Sequence, residues 1–378
     1  MAKTKGKHYY DYGLLFTIIF LTIFGLVMIY SASSYTATLK MGDAGYYMKR
    51  QGLNVLIGFV AMIVLSLIDF RKLLPLALPA YIVSIVLMVI TMVAGREING
   101  KRRWLGVGSL SFQPTEFVKI AVIIFMAVII VNMGKKLNTW KGFLTVTGLT
   151  MIPFILVAYN NLSSGIIVFF IPAAMAFMVA DKRFNWLYIA LFAVILLALM
   201  FRRPAAEFLA ASGLLKPYQV SRVLVWIEPE AHPLDGGYQV LQGLYAIGSG
   251  GLWGKGLGQS IQKLGFVPEA QNDMIFSIIC EELGFVGALL VIVMFAFLLY
   301  RLFIIANSTD NKYGSFICIG VMAHVAIQVI LNIAVVSNVI PNTGVTLPFI
   351  SYGGTSVIFL MCEMGLALSV SRSIYLEK

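Results

Sequence analysis

Residues 268–276 read PEAQNDMIF, and they place an aspartate, Asp273, directly before a long apolar run. The run begins at Met274 and continues to about residue 299, which exceeds the roughly 20 residues that a helix needs to cross a bilayer. A carboxylate beside hydrocarbon is unfavourable unless it caps a helix or serves a function. The stretch therefore predicts a membrane-spanning helix and makes Asp273 a candidate functional residue.

The composition extends this prediction to the whole chain. Of 378 residues, 60% are hydrophobic and only 12% are charged, whereas a soluble domain carries about 25% charged residues. Apolar runs recur along the sequence, so we predict an all-α polytopic membrane protein: a bundle of ten transmembrane helices that forms a single integral membrane domain, residues 1–378. The predicted spans are about 13–31, 52–69, 73–94, 115–133, 142–159, 164–180, 184–200, 274–299, 314–336 and 355–371.

The loops predict the orientation of the bundle. If the N-terminus is inside, the inner segments carry twice as many Lys and Arg residues as the short outer loops, which predicts that both termini are cytoplasmic. The outer side is still basic in a chain of net charge +11, and this favours an anionic ligand there. Residues 201–273 form a large extracytoplasmic loop between the seventh and eighth spans. Its Trp226, Tyr238 and Trp253 predict folded structure rather than disorder.

Several classes of protein and site are disfavoured. The three cysteines all fall inside predicted spans, so neither disulfides nor a metal–thiolate site is expected. We find no internal repeat, which disfavours an inverted-repeat transporter. The glycine-rich stretch GSGGLWGKGLGQS (248–260) matches no nucleotide-binding fingerprint, and no nucleic-acid partner is predicted. Its glycines favour tight turns and close backbone approach to a ligand.

Asp273 has two interpretations. An aspartate directly before a helix is well suited to cap it, because its carboxylate accepts backbone N–H bonds and favours the positive end of the helix. Alternatively it is a general base, which must lie close to substrate and be shielded from water. The sequence leaves both open.

Glu116 and Lys119, in QPTEFVKIAV, are spaced i,i+3 at the start of the fourth span, so they can pair on one helix face. Two unpaired charges at membrane depth would each cost about 2.5–3.5 kcal/mol. Either both lie at the interface with Lys119 extended toward water, or the pair faces inward and lines a polar cavity. The uninterrupted apolar run after Lys119 favours the cavity.

Other polar residues fall inside predicted spans. His324, Gln328 and Asn332 recur at i, i+4 and i+8 on one face of the ninth span, and hydrogen bonding between helices is the favoured explanation. Glu281 and Glu282 are adjacent in the eighth span, so they point in different directions and cannot share one role. Glu363 lies in the tenth span. The basic stretch INGKRRWLGVGS after the third span is either an interfacial anchor or a clamp for a diphosphate or an anionic lipid.

Four segments resemble the SEDS family of peptidoglycan glycosyltransferases, the FtsW/RodA/SpoVE type. They are NGKRRWL (99–105), SFQPTEFVK (111–119), the stretch from EPEAHPLDGGY to EELGFVGA (228–288), and IPNTGVTLPFISYGGTS (340–356). The similarity extends over essentially the whole chain, and GLGQSIQKL (256–264) is most similar to the division and sporulation branch. Two departures are visible: Asn272 and Met274 flank Asp273 in place of Thr and Phe, and Asn161 replaces the aspartate of a PDLG turn.

The resemblance implies an enzyme that polymerises lipid II, an undecaprenyl-diphosphate-linked disaccharide, into glycan strands at the outer face of the bacterial cytoplasmic membrane. Asp273 matches the family's essential carboxylate, and Glu116 and Lys119 match its paired residues in the fourth span. The predicted substrate-binding residues are Arg50, Lys101, Arg102, Arg103, Glu116, Lys119 and Gln271.

The predicted chemistry is inverting glycosyl transfer with Asp273 as general base. The leaving diphosphate needs positive charge, from Arg102, Arg103, Lys119 or a weakly bound Mg²⁺ or Mn²⁺, since the sequence shows no dedicated metal site. The resemblance implies a class B penicillin-binding protein, a transpeptidase, as partner, together with proteins of the division or elongation machinery. Two alternatives stay open: a lipid II flippase, and a non-catalytic scaffold that recruits a transpeptidase.

Overall fold

The protein is mostly helical, and helices occupy all ten of the predicted segments. The computed structural model describes residues 7–98, 101–107, 110–179, 182–213 and 217–376. The helices at the predicted positions are α1 (Tyr12–Met41), α2 (Tyr46–Leu67), α3 (Ala77–Ala94, preceded by a 3-10 turn at Phe70–Leu76), α4 (Pro114–Met133), α5 (Trp140–Asn160), α6 (Leu162–Phe177), α7 (Lys182–Met200), α11 (Ile275–Ser308), α12 (Lys312–Val336) and α13 (Ser356–Ser371).

Seven helical segments in the described part of the chain are long and apolar enough to cross a membrane. They are Tyr12–Met41, Tyr46–Leu67, Phe70–Ala94, Pro114–Asn138, Trp140–Asn160, Ile275–Ser308 and Lys312–Val336. The apolar helices α6 and α13 have 16 residues each, and at 1.5 Å per residue each rises about 24 Å, less than the hydrocarbon thickness of about 30 Å.

Some helices continue beyond the predicted spans. α1 extends ten residues past the predicted end at residue 31, although this extension is polar. Its hydroxyl side chains bond to carbonyls three or four residues earlier, as Ser33 Oγ does to Ile29 (2.7 Å) and Thr38 Oγ1 to Ser34 (2.8 Å), so they remain compatible with helix. Gly42, with φ 71°, adopts the left-handed conformation that ends α1.

The buried core of the bundle is built around α4 and α12. In each of these two helices, 61% of the 18-residue apolar window is buried, compared with 44% in α1 and 22–33% in the other four membrane-length segments. α2 packs on α13, α11 packs on both α12 and α1, and α5 packs on α6. Because α4 and α12 are enclosed, polar residues on them face protein or an internal cavity rather than lipid.

The predicted large loop is folded over its described residues. It contains α8 (Arg202–Ala211), α9 (Pro217–Ile227), two 3-10 turns at Pro229–Ala231 and Pro233–Asp235, and α10 (Gly237–Ser249). Trp226 packs against Ala206 and Val223 in a small apolar cluster. The indole Nε1 of Trp226 also donates to the Asn338 carbonyl at 3.2 Å, which attaches α9 to the connection between α12 and α13.

The all-α prediction is wrong in one respect, because short strands are present. β2 (Arg96–Ile98), β3 (Lys101–Val107) and β4 (Leu110–Phe112) form an antiparallel sheet in the order β2-β3-β4. β1 (Lys7–His8) pairs antiparallel with β5 (Tyr375–Leu376). Residues 7–8 and 375–376, near the two ends of the chain, therefore lie together on one side of the bundle.

α11 is kinked at Gly284, whose φ of 66° and ψ of −166° interrupt the helix. Residues 250–263, which we call the clasp segment, lie against the kink and supply the backbone partners that the helix loses there. Gly284 is in such close contact that an added Cβ would lie 2.4 Å from the Gly254 nitrogen. Two main-chain bonds run from the clasp segment to α11: the N–H groups of Lys255 and Gly256 donate to the Glu281 and Glu282 carbonyls, each at 2.9 Å. Two run from α11 to the clasp segment: the Phe285 N–H donates to the Gly251 carbonyl at 2.9 Å, and the Val286 N–H donates to the Leu252 carbonyl at 3.1 Å.

Candidate active site

A polar cavity of about 790 Å³ opens between α2, α4, α6, α12 and the turns before α11 and α13. It brings together five of the eight residues that we predicted for the site, from four separate regions of the sequence. These five are Arg50, Arg103, Glu116, Lys119 and Asp273.

Asp273 lies in the cavity wall and does not cap a helix. The N-cap of α11 is Met274, and no side chain caps this helix end, so the capping interpretation is wrong. Within the described part of the chain, no side chain forms a hydrogen bond or an ion pair with the half-buried Asp273 carboxylate. Desolvation by burial raises the pKa of the Asp273 carboxyl from 3.8 to about 6. The charge of nearby Glu269 also raises this pKa, whereas a hydrogen bond from the main chain and the charge of Arg222 lower it. A carboxylate that is unpaired and poised near neutral pH is suited to accept a proton.

Glu116 and Lys119 form the predicted pair on α4. Lys119 Nζ lies 2.8 Å from Glu116 Oε2, and the lysine side chain is only 3% exposed. The alternative in which Lys119 extends to the interface is therefore wrong. Both residues line the cavity, so the pair presents a positive and a negative group to whatever occupies it. Their role in substrate binding remains a prediction.

The two arginines of the cavity come from different elements. Arg50, on α2, is exposed at the cavity edge, with its guanidinium carbon 5.0 Å from the centre of the Tyr46 ring. Arg103 lies on the central strand β3, and its Nε donates to the Asn160 carbonyl at the end of α5 (3.1 Å). The small sheet thus holds a basic side chain at the cavity, a placement that the basic composition of the stretch alone does not predict.

The other three predicted residues are not among those that line the cavity. Arg102 is exposed on the far side of β3, where its Nη1 donates to the Val93 carbonyl at 2.6 Å. Gln271 is buried, and its main-chain carbonyl accepts a hydrogen bond from the Tyr352 N–H (2.9 Å). The Lys101 side chain lies outside the described residues.

Sequence reasoning assigned no site residue to the connection before α13, although the connection forms one wall of the cavity. This wall contains Gly344, Val345, Thr346 and residues 352–356. The Tyr352 ring packs edge-on against Tyr47, with centroids 5.1 Å apart, and burial raises the pKa of the Tyr352 hydroxyl. The Gly-, Thr- and Pro-rich composition of 340–356 between two apolar runs was the available signal.

The polar stripe on α12 is used for hydrogen bonds to neighbouring segments, as the favoured explanation predicted. His324 Nδ1 lies 2.7 Å from Glu363 Oε2 on α13, and His324 Nε2 lies 2.9 Å from Gln328 Oε1. Gln328 Nε2 donates to the Thr346 carbonyl at 3.0 Å. Asn332, which is fully buried, donates to two main-chain carbonyls at the cavity wall.

Glu281 and Glu282 have separate partners, as their adjacency predicted, and both hold the clasp segment. Glu281 pairs with Lys255 at 2.7 Å and also accepts from Ser260. Glu282 pairs with Lys263 at 2.8 Å and accepts from Ser31 of α1. Both carboxylates are fully enclosed. The glycines of this stretch therefore permit close approach to α11, which differs from the approach to a ligand that we expected.

Comparisons with known proteins agree with this architecture. Residues 12–376 match the profile of the FtsW/RodA/SpoVE family, described as "Cell cycle protein". The chain is 36% identical to Stage V sporulation protein E of Bacillus subtilis over 95% of both chains. It is 32% identical to a protein of Geobacter sp. (strain M18) named "Probable peptidoglycan glycosyltransferase FtsW", over 98% of both chains. These relatives carry names of the predicted division and sporulation branch.

Solved structures match over nearly the full length. One, described as "Structural coordination of polymerization and crosslinking by a peptidoglycan synthase complex", has a TM-score of 0.78 and 30% identity, and the match covers 97% of this chain and 99% of the other. The rod shape determining protein RodA of Thermus thermophilus has a TM-score of 0.70 and 26% identity, with 97% and 98% coverage.

Proposed function

This chain belongs to the FtsW/RodA/SpoVE family, and from this premise we propose that it is a peptidoglycan glycosyltransferase that polymerises lipid II into β-1,4-linked glycan strands. The observation that carries the proposal is the cavity of about 790 Å³, which is lined by an unpaired carboxylate with a pKa of about 6 and by three cationic side chains. A sugar hydroxyl and a sugar diphosphate are reactants that need this combination of base and positive charge.

In the proposed reaction, Asp273 accepts the proton of the acceptor hydroxyl as its oxygen attacks the anomeric carbon of the donor. The new C–O bond forms while the bond from that carbon to the diphosphate oxygen breaks, and the diphosphate leaves with the electron pair. Attack opposite the leaving group inverts the anomeric configuration from α to β. A positioned general base contributes about 10²–10⁴ in rate.

The charge of the leaving diphosphate is stabilised in this proposal by Lys119, Arg103 and Arg50, which line the same cavity as the base. Arg102 and Lys101 stay candidates for the diphosphate on sequence grounds. Glu116 keeps Lys119 oriented by their 2.8 Å ion pair. Preorganised cations lose little of their effect to reorganisation during the reaction.

A weakly bound Mg²⁺ or Mn²⁺ fits this site only with help from substrate. No cluster of three or more His, Cys, Asp or Glu side chains that could hold a metal occurs among the described residues. The cavity offers the carboxylates of Asp273 and Glu269, and Mg²⁺ commonly takes one or two carboxylates plus substrate phosphate oxygens. A bound cation would supply further positive charge to the diphosphate.

The proposed membrane arrangement has ten spans with both termini in the cytoplasm, and residues 201–273 on the outer side. It is supported by the position of the ten helices, by the pairing of the two chain ends and by the excess of Lys and Arg in the inner segments. The cavity then lies on the outer side of the bacterial cytoplasmic membrane, where a polyprenyl-anchored substrate presents its sugars.

The proposed partner is a class B penicillin-binding protein, in the division or elongation machinery. The support is the solved complex of similar fold, whose description joins polymerisation to crosslinking. Crosslinking needs a transpeptidase, and a polymerase that is bound to one can deliver a nascent strand to it.

The test is lipid II polymerisation by the purified full chain, alone and with its cognate transpeptidase, comparing wild type with Asp273→Asn. The substitution keeps the size of the side chain and removes the base, so the rate should fall by about 10²–10⁴. Binding of lipid II should persist. If both proteins polymerise equally, the catalytic assignment is overturned. If wild type makes no strands but moves lipid II across vesicles, the flippase alternative replaces it.

A further inference from the structure

Asn332 bonds to the main chain on two sides of the cavity. Its Nδ2 donates to the Asp273 carbonyl at 2.8 Å and to the Val345 carbonyl at 2.7 Å. The side chain is fully buried, and its Oδ1 has no hydrogen-bond partner among the described residues. Only one orientation of the amide is possible, because a flipped amide would turn Oδ1 toward two carbonyl oxygens.

Neither carbonyl belongs to regular secondary structure that could otherwise fix its position. α11 begins only at Ile275, and the Ser277 N–H bonds to Met274 rather than to Asp273. Val345 lies in the irregular connection between α12 and α13. One side chain therefore sets the separation between the main chain of Asp273 and the facing wall, where an added Cβ on Gly344 would lie 3.8 Å from Asp273 Oδ2.

The preceding turn of α12 makes a similar hydrogen bond to the cavity wall. Gln328 Nε2 donates to the carbonyl of Thr346, the residue after Val345. Because that carbonyl can only accept, the Gln328 amide must turn its Oε1 toward His324, and the facing Nε2 of His324 must carry a hydrogen. Glu363 holds the other ring nitrogen. Two successive turns of one rigid, enclosed helix thus hold two successive residues of the wall.

We propose that Asn332 is the positioning residue for the catalytic base. Its two hydrogen bonds fix the distance between the Asp273 main chain and the facing cavity wall, and so place the Asp273 carboxylate where it can accept the proton of the substrate. The inference rests on the proposed role of Asp273. Proton transfer needs heavy atoms about 2.6–3.2 Å apart, and a displacement of about 1 Å in a site of this kind lowers the rate about 10²-fold.

The experiment compares the purified full chains of wild type, Asp273→Asn, Asn332→Leu and Ser369→Ala in lipid II polymerisation. Asn332→Leu keeps the size of the side chain and removes both donors. Ser369→Ala is the matched control, because Ser369 is also a buried side chain with two hydrogen bonds, to Ile68 O and from the Phe70 N–H, and it lies on α13 away from the cavity. Each variant is assayed for kcat, for lipid II binding, and for the pH dependence of kcat.

For Asn332→Leu we expect kcat to fall about 10- to 100-fold with lipid II binding within about threefold, since Arg50 and Lys119 are unchanged. The acid limb of its pH profile should move to lower pH, because a loosened Asp273 meets more water. Ser369→Ala should change neither. Loss of stability alone would not move the pH profile of the folded fraction.

If Asn332→Leu has the kcat and pH profile of Ser369→Ala while Asp273→Asn is inactive, the positioning role is overturned and the proposed function stands. If Asp273→Asn is as active as wild type, the proposed function itself fails. Should Asn332→Leu not fold, Asn332→Thr, which keeps one donor, carries the same test: kcat at least about threefold below wild type supports the role, and an unchanged kcat overturns it.

Discussion

The clasp segment and the cavity hold buried carboxylates in two different settings. In the clasp, Glu281 and Glu282 are fully enclosed, and each is held by a lysine of the neighbouring segment at 2.7–2.8 Å. In the cavity, Glu116 pairs with Lys119 at the same 2.8 Å separation, but both side chains border open space. Ion-pair distance does not distinguish the two settings. The two settings differ in whether the carboxylate can still form a hydrogen bond or an ion pair with a ligand.

The clasp carboxylates have no remaining capacity for a ligand. Glu282 binds Lys263, Ser31 and the Gly258 N–H, and Glu281 binds Lys255, Ser260 and two main-chain N–H groups. The cavity carboxylates are less completely satisfied, and Asp273 has no side-chain partner in the described structure. An unsatisfied charge beside a cavity is available for substrate, so we assign structure to the first setting and chemistry to the second.

The largest effect on stability should come from removing an ion pair between α11 and the clasp segment. Lys263→Met leaves the Glu282 charge buried without its partner, and breaking such a pair typically costs about 3–5 kcal/mol. We expect a clear drop in the unfolding temperature in detergent, followed by fluorescence of the purified protein. The double variant Glu282→Gln/Lys263→Met removes both charges and should recover most of the loss. A single variant as stable as wild type would contradict the assignment of this pair to structure.

The cavity pair should respond less in stability and more in activity. In Lys119→Met, water in the cavity can reach the exposed part of Glu116, so we expect a loss of about 2 kcal/mol in the free energy of unfolding. The lost cation should lower polymerisation at least about tenfold. The measurement is the ratio of the loss in polymerisation rate to the loss in the free energy of unfolding, for Lys119→Met and for Lys263→Met. Equal ratios would remove the distinction between the two settings.

Much of the bundle was predictable because it depends on local pattern. Apolar run length located every helix that we predicted, and the i,i+3 spacing of Glu116 and Lys119 predicted their pairing. The extension of α1 was missed, because Ser and Thr side chains bond within the helix and keep a polar segment helical. The small sheet was missed because its basic residues dominated the interpretation of residues 96–112.

The rest depends on contacts between residues far apart in the sequence. Ser31 meets Glu282 across 251 positions, and Gln51 donates to the Ser351 carbonyl across 300. Nothing in a single sequence indicates such pairs, so the clasp and the wall at 340–356 were not assigned. The Asp273 position was predicted by its edge location, whereas the choice between a cap and a base needed the hydrogen bonds at the start of α11.

The smallest effect should come from Asp273 itself, and its sign should be opposite. Its pKa in the folded protein is about 6, above the ordinary 3.8, so the folded state binds this proton more tightly than the unfolded chain does. Stability from this group is fully present below about pH 4 and is lost as the pH rises through about 6.

Asp273→Asn cannot ionise, and we expect it to be more stable than wild type by about 1–2 kcal/mol at pH 7.5 and equally stable near pH 4. Melting curves of both proteins across this range measure the difference. A variant that is less stable than wild type at every pH would mean that Asp273 has a structural partner after all, and would place it with the clasp glutamates.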